Sequence, residues 1–145
     1  MAVSFKVIDN RSNISRKIKE LQEQLGNYKT YFLQGMANSL IANSPVDTGN
    51  YVTSFRVGNS RSTEVTDSIG KPRGKNYNKQ YELGINKLSA DITALADNDL
   101  NNVVFTNVAV YAYDVEYTYG HAPFTITRNL ASTISSDAAA RAKAT

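Results

Sequence analysis

Residues 44–55 read SPVDTGNYVTSF, and this stretch joins a helix stop, a tight turn and a strand. Because a proline disfavours the helical conformation in the residue before it, Pro45 predicts that an incoming helix ends at Ser44. After the turn, residues 51–57 alternate between two unlike sets of side chains, which is the two-residue period of a strand. The stretch therefore predicts a direct change from helix to strand.

The Asp-Thr-Gly triplet inside this stretch has two interpretations. In the first, Asp47 and Thr48 hydrogen-bond to nearby backbone and Gly49 supplies a left-handed position, so that with Pro45 they form a structural turn. In the second, the triplet is that of an aspartic protease, in which two carboxylates share one proton. One copy per chain would require a homodimer, and a helix with Ser-Pro stands where an apolar strand is typical. The sequence favours the turn, and a homodimeric aspartic protease using Asp47 is the alternative.

The composition predicts a single domain that spans residues 1–145. Hydrophobic residues make up 41% of the chain and charged residues 20%, which is ordinary for a soluble globular protein. No apolar run is long enough to cross a membrane, and the amino terminus lacks the layout of a secretion signal. The chain has no cysteine and a single histidine, His121. The sequence therefore indicates no metal site, cofactor, catalytic residue or small-molecule substrate.

A long helix is predicted from a polar turn near Ser12 to about Asn43. Apolar residues recur every three or four positions and form one stripe. The stripe contains Ile14, Ile18, Leu21, Leu25, Tyr28, Phe32, Met36 and Leu40. At about 1.5 Å per residue the helix would be roughly 45 Å long, which exceeds what a compact domain of this size requires. We therefore expect the narrow first half, with Ile14, Ile18, Leu21 and Leu25, to contribute to subunit packing, unless Gly26 or Gly35 breaks the helix.

The remaining periodicities complete an α+β order of elements. They predict a short strand at Val3–Val7, a second helix over Tyr81–Leu95, a strand over Asn102–Val110 and a C-terminal helix that starts at Pro123. This order favours a small antiparallel sheet packed by a long N-terminal helix, a second helix and a C-terminal helix.

The tyrosine-rich stretch from Tyr111 to Gly120 fits two local structures. Its even tyrosine spacing could continue a ribbon, and residues 112–116 could equally make one turn of helix. Glu116 lies among these tyrosines, which could partly bury it. We expect this carboxylate to make either a structural hydrogen bond or an ion pair between subunits.

A polar segment in the middle of the chain carries four positive charges. Residues 70–79 are rich in glycine and asparagine and show no apolar period, so they predict an exposed loop. Its cations are Lys71, Arg73, Lys75 and Lys79. These cations, interleaved with Tyr77, could contact phosphates while the tyrosine stacks on a base, although most such charged runs are simply solvated. A small DNA-binding module that uses this loop is an alternative function.

Two motifs occur in a recognisable order. The first is Pro-Val-Asp-Thr-Gly at 45–49, followed by Tyr51 and Ser54, and the second is Tyr-Ala-Tyr-Asp-Val-Glu-Tyr at 111–117. In these motifs the chain resembles the tail-completion or neck proteins of tailed bacteriophages. In that family a Pro-Val-Asp-Thr-Gly stretch precedes a Tyr-Ala stretch that ends in Val-Glu-aromatic-Gly.

The resemblance implies a structural role rather than an enzymatic one. It implies a small α+β subunit that forms a ring, commonly of six copies, between the head connector and the tail. Its partners would be further copies of the chain and other neck, connector and tail proteins. In such a ring we expect the loop from Lys71 to Lys79 to order against a neighbouring subunit or to face the DNA channel, with non-specific contact to packaged DNA. The protein would be assembled in the host cytoplasm and reside in the virion.

Overall fold

The computed structural model of this chain describes residues 11–46, 48–68, 77–95 and 102–145. Its elements are α1 (Arg11–Ala42), β1 (Phe55–Gly58), α2 (Tyr77–Leu95), β2 (Val104–Asn107), a π-helical turn (Asp114–Thr118), α3 (Pro123–Asn129) and α4 (Ala131–Ala144). The α+β prediction is confirmed, because helices pack around a small two-stranded antiparallel sheet. The strand predicted at Val3–Val7 lies outside the described residues. No described helix is both long enough and apolar enough to cross a membrane.

Helix α1 is one unbroken helix of 32 residues, as the apolar period predicted. Its C-terminal half is buried through Leu33, Ala37, Leu40 and Ile41. This half packs against α2, α3 and α4, and α2 in turn contacts β1. Among the described residues, the helix is therefore anchored in the core through its C-terminal half.

The two glycines of α1 have unlike surroundings. A Cβ atom at Gly26 would meet nothing within 4 Å, whereas a Cβ at Gly35 would lie 2.6 Å from Cγ2 of Ile134. Gly35 thus lets α4 approach α1 closely. Neither glycine breaks the helix, which runs through both positions without interruption.

A matched pair of substitutions tests this difference between the glycines. We expect Gly26→Ala to raise the free energy of unfolding by up to about 1 kcal/mol, since alanine is the better helix former. Gly35→Ala should lower it by about 1–3 kcal/mol, because the added methyl group overpacks the contact with Ile134. Urea denaturation of both variants measures the two shifts, and an equal shift in the same direction would contradict the close approach.

The helix ends where Pro45 predicted. The Ser44 hydroxyl donates to the Leu40 carbonyl at 2.5 Å, and the Ser44 N–H donates to the Ile41 carbonyl at 3.1 Å. These bonds satisfy carbonyl groups that the end of the helix leaves without a partner. Pro45 and Val46 follow outside the helix.

Strand β1 begins later than the strand that the sequence predicted over residues 51–57. Residues 50–53 form a turn in which the Thr53 hydroxyl donates to the Gly49 carbonyl at 2.6 Å, and the Ser54 hydroxyl donates to the Asn50 carbonyl. Side chains of this kind compete with a strand ladder for the backbone. The ladder therefore begins only at Phe55, which pairs with Asn107 in antiparallel register.

The prediction of one C-terminal helix is wrong, because the segment forms two helices, α3 and α4. The break lies at Leu130, whose backbone has φ −91° and ψ −1°. Its N–H group donates to the carbonyls of both Ile126 and Thr127. The change of direction lets α3 and α4 both reach α1.

Candidate assembly surface

The N-terminal half of α1 presents an uncovered apolar stripe. Residues 13–25 are all exposed. The four side chains of the stripe, Ile14, Ile18, Leu21 and Leu25, each keep between 50% and 56% of their surface exposed. We call these four residues the seam. Their spacing of four, three and four is that of a narrow coiled-coil contact.

The same stripe is covered further along the helix. Tyr28 and Phe32 continue its spacing, and their rings stack with centroids 6.1 Å apart. The Tyr28 hydroxyl is hydrogen-bonded to the Ser135 hydroxyl of α4 at 2.7 Å. The face of α1 that packs on α4 therefore continues into the seam, where none of the described residues covers it.

Polar side chains border the seam. On a helical wheel Ser15 and Gln22 lie on one side, and Lys17 and Gln24 lie on the other. An isolated helix of about this length is only marginally stable in water. Contact with another surface would both bury the seam and stabilise this half of α1.

Three of the four residues of the predicted turn lie among the described residues. Gly49 has a φ of 83°, in the left-handed region, and the Thr48 hydroxyl accepts from the Asn50 N–H at 3.2 Å. Pro45 lies beside them, and Asp47 lies outside the described residues. A Cβ atom at Gly49 would collide with the side-chain amide of Gln80 on α2.

Two glycines with positive φ allow this collision to be measured. Gly49→Ala should lower the free energy of unfolding by about 1–2 kcal/mol for the left-handed backbone, with a further loss from displacing Gln80. Gly120→Ala is the control, because Gly120 has a φ of 74° and a Cβ there would meet nothing within 4 Å. Thermal unfolding of both variants gives the difference. Equal losses would show that the contact with Gln80 does not matter.

A buried tyrosine lies beside the turn. Tyr51 is almost fully buried, and its hydroxyl has no hydrogen-bond partner among the described residues. Burial, reinforced by the nearby Glu116 and Tyr111, raises the pKa of this hydroxyl well above its usual value. It is therefore a neutral core group at physiological pH. His121, the single histidine, is exposed near this position.

Glu116 is a buried carboxylate whose hydrogen bonds lie within the chain. The π-helical turn places it against the start of α3, where its oxygens accept from the Phe124 N–H at 3.0 Å and from the Thr125 N–H at 2.8 Å. The Thr125 hydroxyl adds a third bond at 2.7 Å. The residue before α3 is Ala122, which has no side chain that can cap a helix. Glu116 performs this capping from a distance.

The π-helical turn also builds a cleft that the sequence did not reveal. It brings the rings of Tyr113 and Tyr117 to 4.8 Å between centroids, and both side chains are largely exposed. The cleft has a volume of about 350 Å³, and its lining combines aromatic rings with charged side chains, among them Phe105, Tyr113, Tyr117, Phe124, Arg61, Glu116 and Arg128. We call it the tyrosine cleft. The even tyrosine spacing was the one signal for it, and that spacing alone left ribbon and helix open.

Of the four cations in the predicted loop, only Lys79 lies among the described residues. Lys71, Arg73 and Lys75 lie outside the described residues. Lys79 lies in the first turn of α2 instead of in a loop, because that helix begins at Tyr77. The apolar period starts only at Tyr81, so the preceding polar turn gave no sign of the extension. Residues 77–79 are therefore helical, where the sequence predicted a loop.

Comparison of the chain with protein-family models, curated proteins and solved structures finds no match. Within the described ranges, no group of three histidine, aspartate or glutamate side chains is placed to hold a metal ion. The described surface carries two apolar features, the seam and the tyrosine cleft.

Proposed function

We propose that this chain is a structural subunit of a ring in the neck of a tailed bacteriophage. There it would join the head connector to the tail, as a tail-completion or tail-terminator protein does. The observation that supports this proposal most strongly is the seam, a half-exposed apolar stripe on a helix that extends beyond its own core. The two sequence motifs supply the link to this class of protein.

The seam supports assembly for a physical reason. Contiguous apolar surface on a monomer can mark a contact site, and a helix half that no described residue packs against gains stability when it is buried. A ring needs an interface made of two unlike patches, so that each subunit can contact the next one in the same way. The seam is one such patch.

The other predicted residues have supporting roles in this proposal. The turn at Pro45 to Gly49 fixes the angle between α1 and the sheet, and Glu116 fixes the start of α3. The loop cations from Lys71 to Lys79 would contact a neighbouring subunit or the packaged DNA. The partners are further copies of the chain, in a ring of six subunits, and the neck, connector and tail proteins of the virion. The ring is assembled in the host cytoplasm.

Native mass spectrometry of the purified chain tests the proposal. A ring of six gives a signal at six times the chain mass of 15.9 kDa, and negative-stain microscopy of the same sample should show annular particles. Co-purification with connector or tail proteins tests the location. A chain that stays strictly monomeric at high concentration and never enters particles would rule the proposal out.

The alternatives give other results in the same samples. A homodimeric protease would lose peptide cleavage at acid pH in Asp47→Asn while its dimer survived. A DNA-binding module would bind DNA with an affinity that falls steeply with salt and with loss of the four loop cations. Either result in a chain that forms no ring would replace the proposal.

A further inference from the structure

We propose that helix α4 undocks from α1 as a unit, at a free-energy cost well below that of unfolding the whole chain, and that it pivots at Leu130 when it does so. This conformational device belongs to the single chain and does not depend on the proposed ring. The structure holds its closed state, in which α4 covers a part of α1 that the opening exposes.

Helix α4 lies outside the main hydrophobic core. That core is built from α1, α2, β1 and turn residues, and of the residues that the structure describes, none in α4 belongs to it. The buried residues of α4 are two alanines, Ala138 and Ala142. By contrast, α2 buries three large aliphatic side chains, Leu88, Ile92 and Leu95. Because hydrophobic stabilisation grows with the apolar area removed from water, two alanines hold a helix far less firmly than three such side chains.

The polar contacts between α1 and the α4 segment lie near the surface. The Tyr28 hydroxyl is hydrogen-bonded to the Ser135 hydroxyl at 2.7 Å, and the Tyr31 hydroxyl to the Thr145 hydroxyl at 3.2 Å. The Arg141 guanidinium lies 4.2 Å from the centre of the Tyr31 ring. Water can replace the partners of such groups when the helices separate, so each contact contributes little net stability.

The close crossing of the two helices at Gly35 does not add a large apolar contact. The backbones approach because Gly35 has no side chain, and a Cβ there would lie 2.6 Å from Cγ2 of Ile134. Glycine contributes no side chain to bury, and Ile134 itself remains partly exposed. The short distance between the helices therefore reflects small side chains rather than a large buried area.

The pivot is Leu130, where α3 ends and α4 begins. Its backbone departs from helical geometry, with φ −91° and ψ −1°, and 42% of its surface is exposed. Helix α3 has attachments of its own, because Glu116 accepts from the N–H groups at its start and the Thr127 hydroxyl is bonded to Ser39 at 2.7 Å. Helix α3 would therefore stay in place when α4 leaves.

Undocking would uncover the face of α1 that contains Tyr28 and Gly35. Tyr28 follows Leu25 at the same spacing that separates the residues of the seam. With α4 docked, the exposed stripe ends at Leu25, whereas with α4 undocked it would include Tyr28. The position of α4 therefore sets the length of the exposed stripe.

Native-state hydrogen exchange of the unaltered chain tests the opening. A helix of 14 residues is marginal in water on its own, so the amides of an undocked α4 should exchange. We expect these amides to exchange at least about tenfold faster than those of residues 33–41 in α1, after correction for intrinsic rates. Equal protection of the two sets would show that α4 opens only with the whole chain, and would overturn the inference.

A core substitution separates local opening from global unfolding. Ile92→Val removes one methylene from a side chain that is 2% exposed and lies outside α4. We expect exchange at residues 33–41 to become about fivefold faster, because the whole fold is destabilised. Exchange of α4 should stay as in the unaltered chain, because the docked and undocked states lose the same core contact. Equal acceleration of both sets would contradict a separate opening.

A disulfide between the two helices should hold the device closed. The chain has no cysteine of its own, and a Cβ at position 35 would lie 3.8 Å from Cβ of Ile134, a usual separation in a disulfide. In the oxidised double variant Gly35→Cys and Ile134→Cys, α4 should be as protected as residues 33–41. Reduction of the same sample should restore the difference. Fast exchange of α4 that persists with the disulfide formed would show fraying in place, and would overturn the undocking.

Discussion

Replacing Leu21 with glutamate is expected to convert the assembled ring into folded monomers. Leu21 lies in the middle of the seam and is half-exposed in the single chain, so the monomer should lose no more than about 0.5 kcal/mol. In the ring the same position would be buried, and an unpaired carboxylate there costs several kcal/mol unless it is neutralised. Because the contact repeats around the ring, the loss applies to every interface. Native mass spectrometry, with circular dichroism on the same sample, measures both effects.

A charge change on the far side of the same helix controls for electrostatics. Arg16 lies opposite the seam on a helical wheel, and Arg16→Glu alters the net charge more than Leu21→Glu does. We expect this variant to keep the proposed ring. Rings that persist in Leu21→Glu would show that the seam is not the contact, and rings lost in both variants would show a general effect of charge.

Removing the carboxylate of Glu116 is expected to have the largest effect on the stability of the single chain. Glu116→Ala deletes three hydrogen bonds and leaves the N–H groups of Phe124 and Thr125 without their acceptors. Bonds to a charged acceptor contribute about 1.5–3 kcal/mol each, and loss of a helix cap costs about 1 kcal/mol. Since these terms overlap, we expect the free energy of unfolding to fall by about 3 kcal/mol. Urea denaturation, monitored by circular dichroism, measures it.

Two further variants separate capping from a general loss of charge. Glu116→Gln keeps one carbonyl oxygen and should fall between the alanine variant and the unaltered chain. Asp114→Ala removes another carboxylate of the same π-helical turn, which accepts a hydrogen bond from the exposed Thr118 hydroxyl at 2.9 Å. That variant should shift stability by no more than about 0.5 kcal/mol. Equal effects of Glu116→Ala and Asp114→Ala would argue against the capping role.

Local rules predicted the elements that depend on neighbouring residues. Pro45 placed the end of α1, and the spacing of apolar residues carried the helix through Gly26 and Gly35. The seam was found in the same way, because a stripe with polar borders is visible in the sequence. Pro123 marked the start of α3, although the change of direction at Leu130 gave no comparable signal.

The features that the sequence did not predict depend on residues distant in the chain. Phe105 and Phe124 meet Tyr113 only because β2, the π-helical turn and α3 converge, so no spacing pattern could reveal the cleft. For Glu116 the sequence predicted a structural hydrogen bond or an ion pair between subunits but could not name the group it meets. That group lies eight residues away and is reached through a turn of helix that is wider than the usual α-helix. The unsuitable residue Ala122 before Pro123 was the one clue that α3 is capped from elsewhere.

The continuity of α1 has a consequence for the shape of an assembly. Because the helix is one rod rooted in the core by Leu33, Ala37 and Ile41, the body of each subunit fixes the direction in which its seam points. Because Ile14 lies far along the same helix from the point where α1 crosses α4 at Gly35, a small rotation at that crossing would move Ile14 by a larger distance. In a ring joined through the seam, the curvature, and with it the number of subunits that close the circle, would be governed by packing deep inside each subunit.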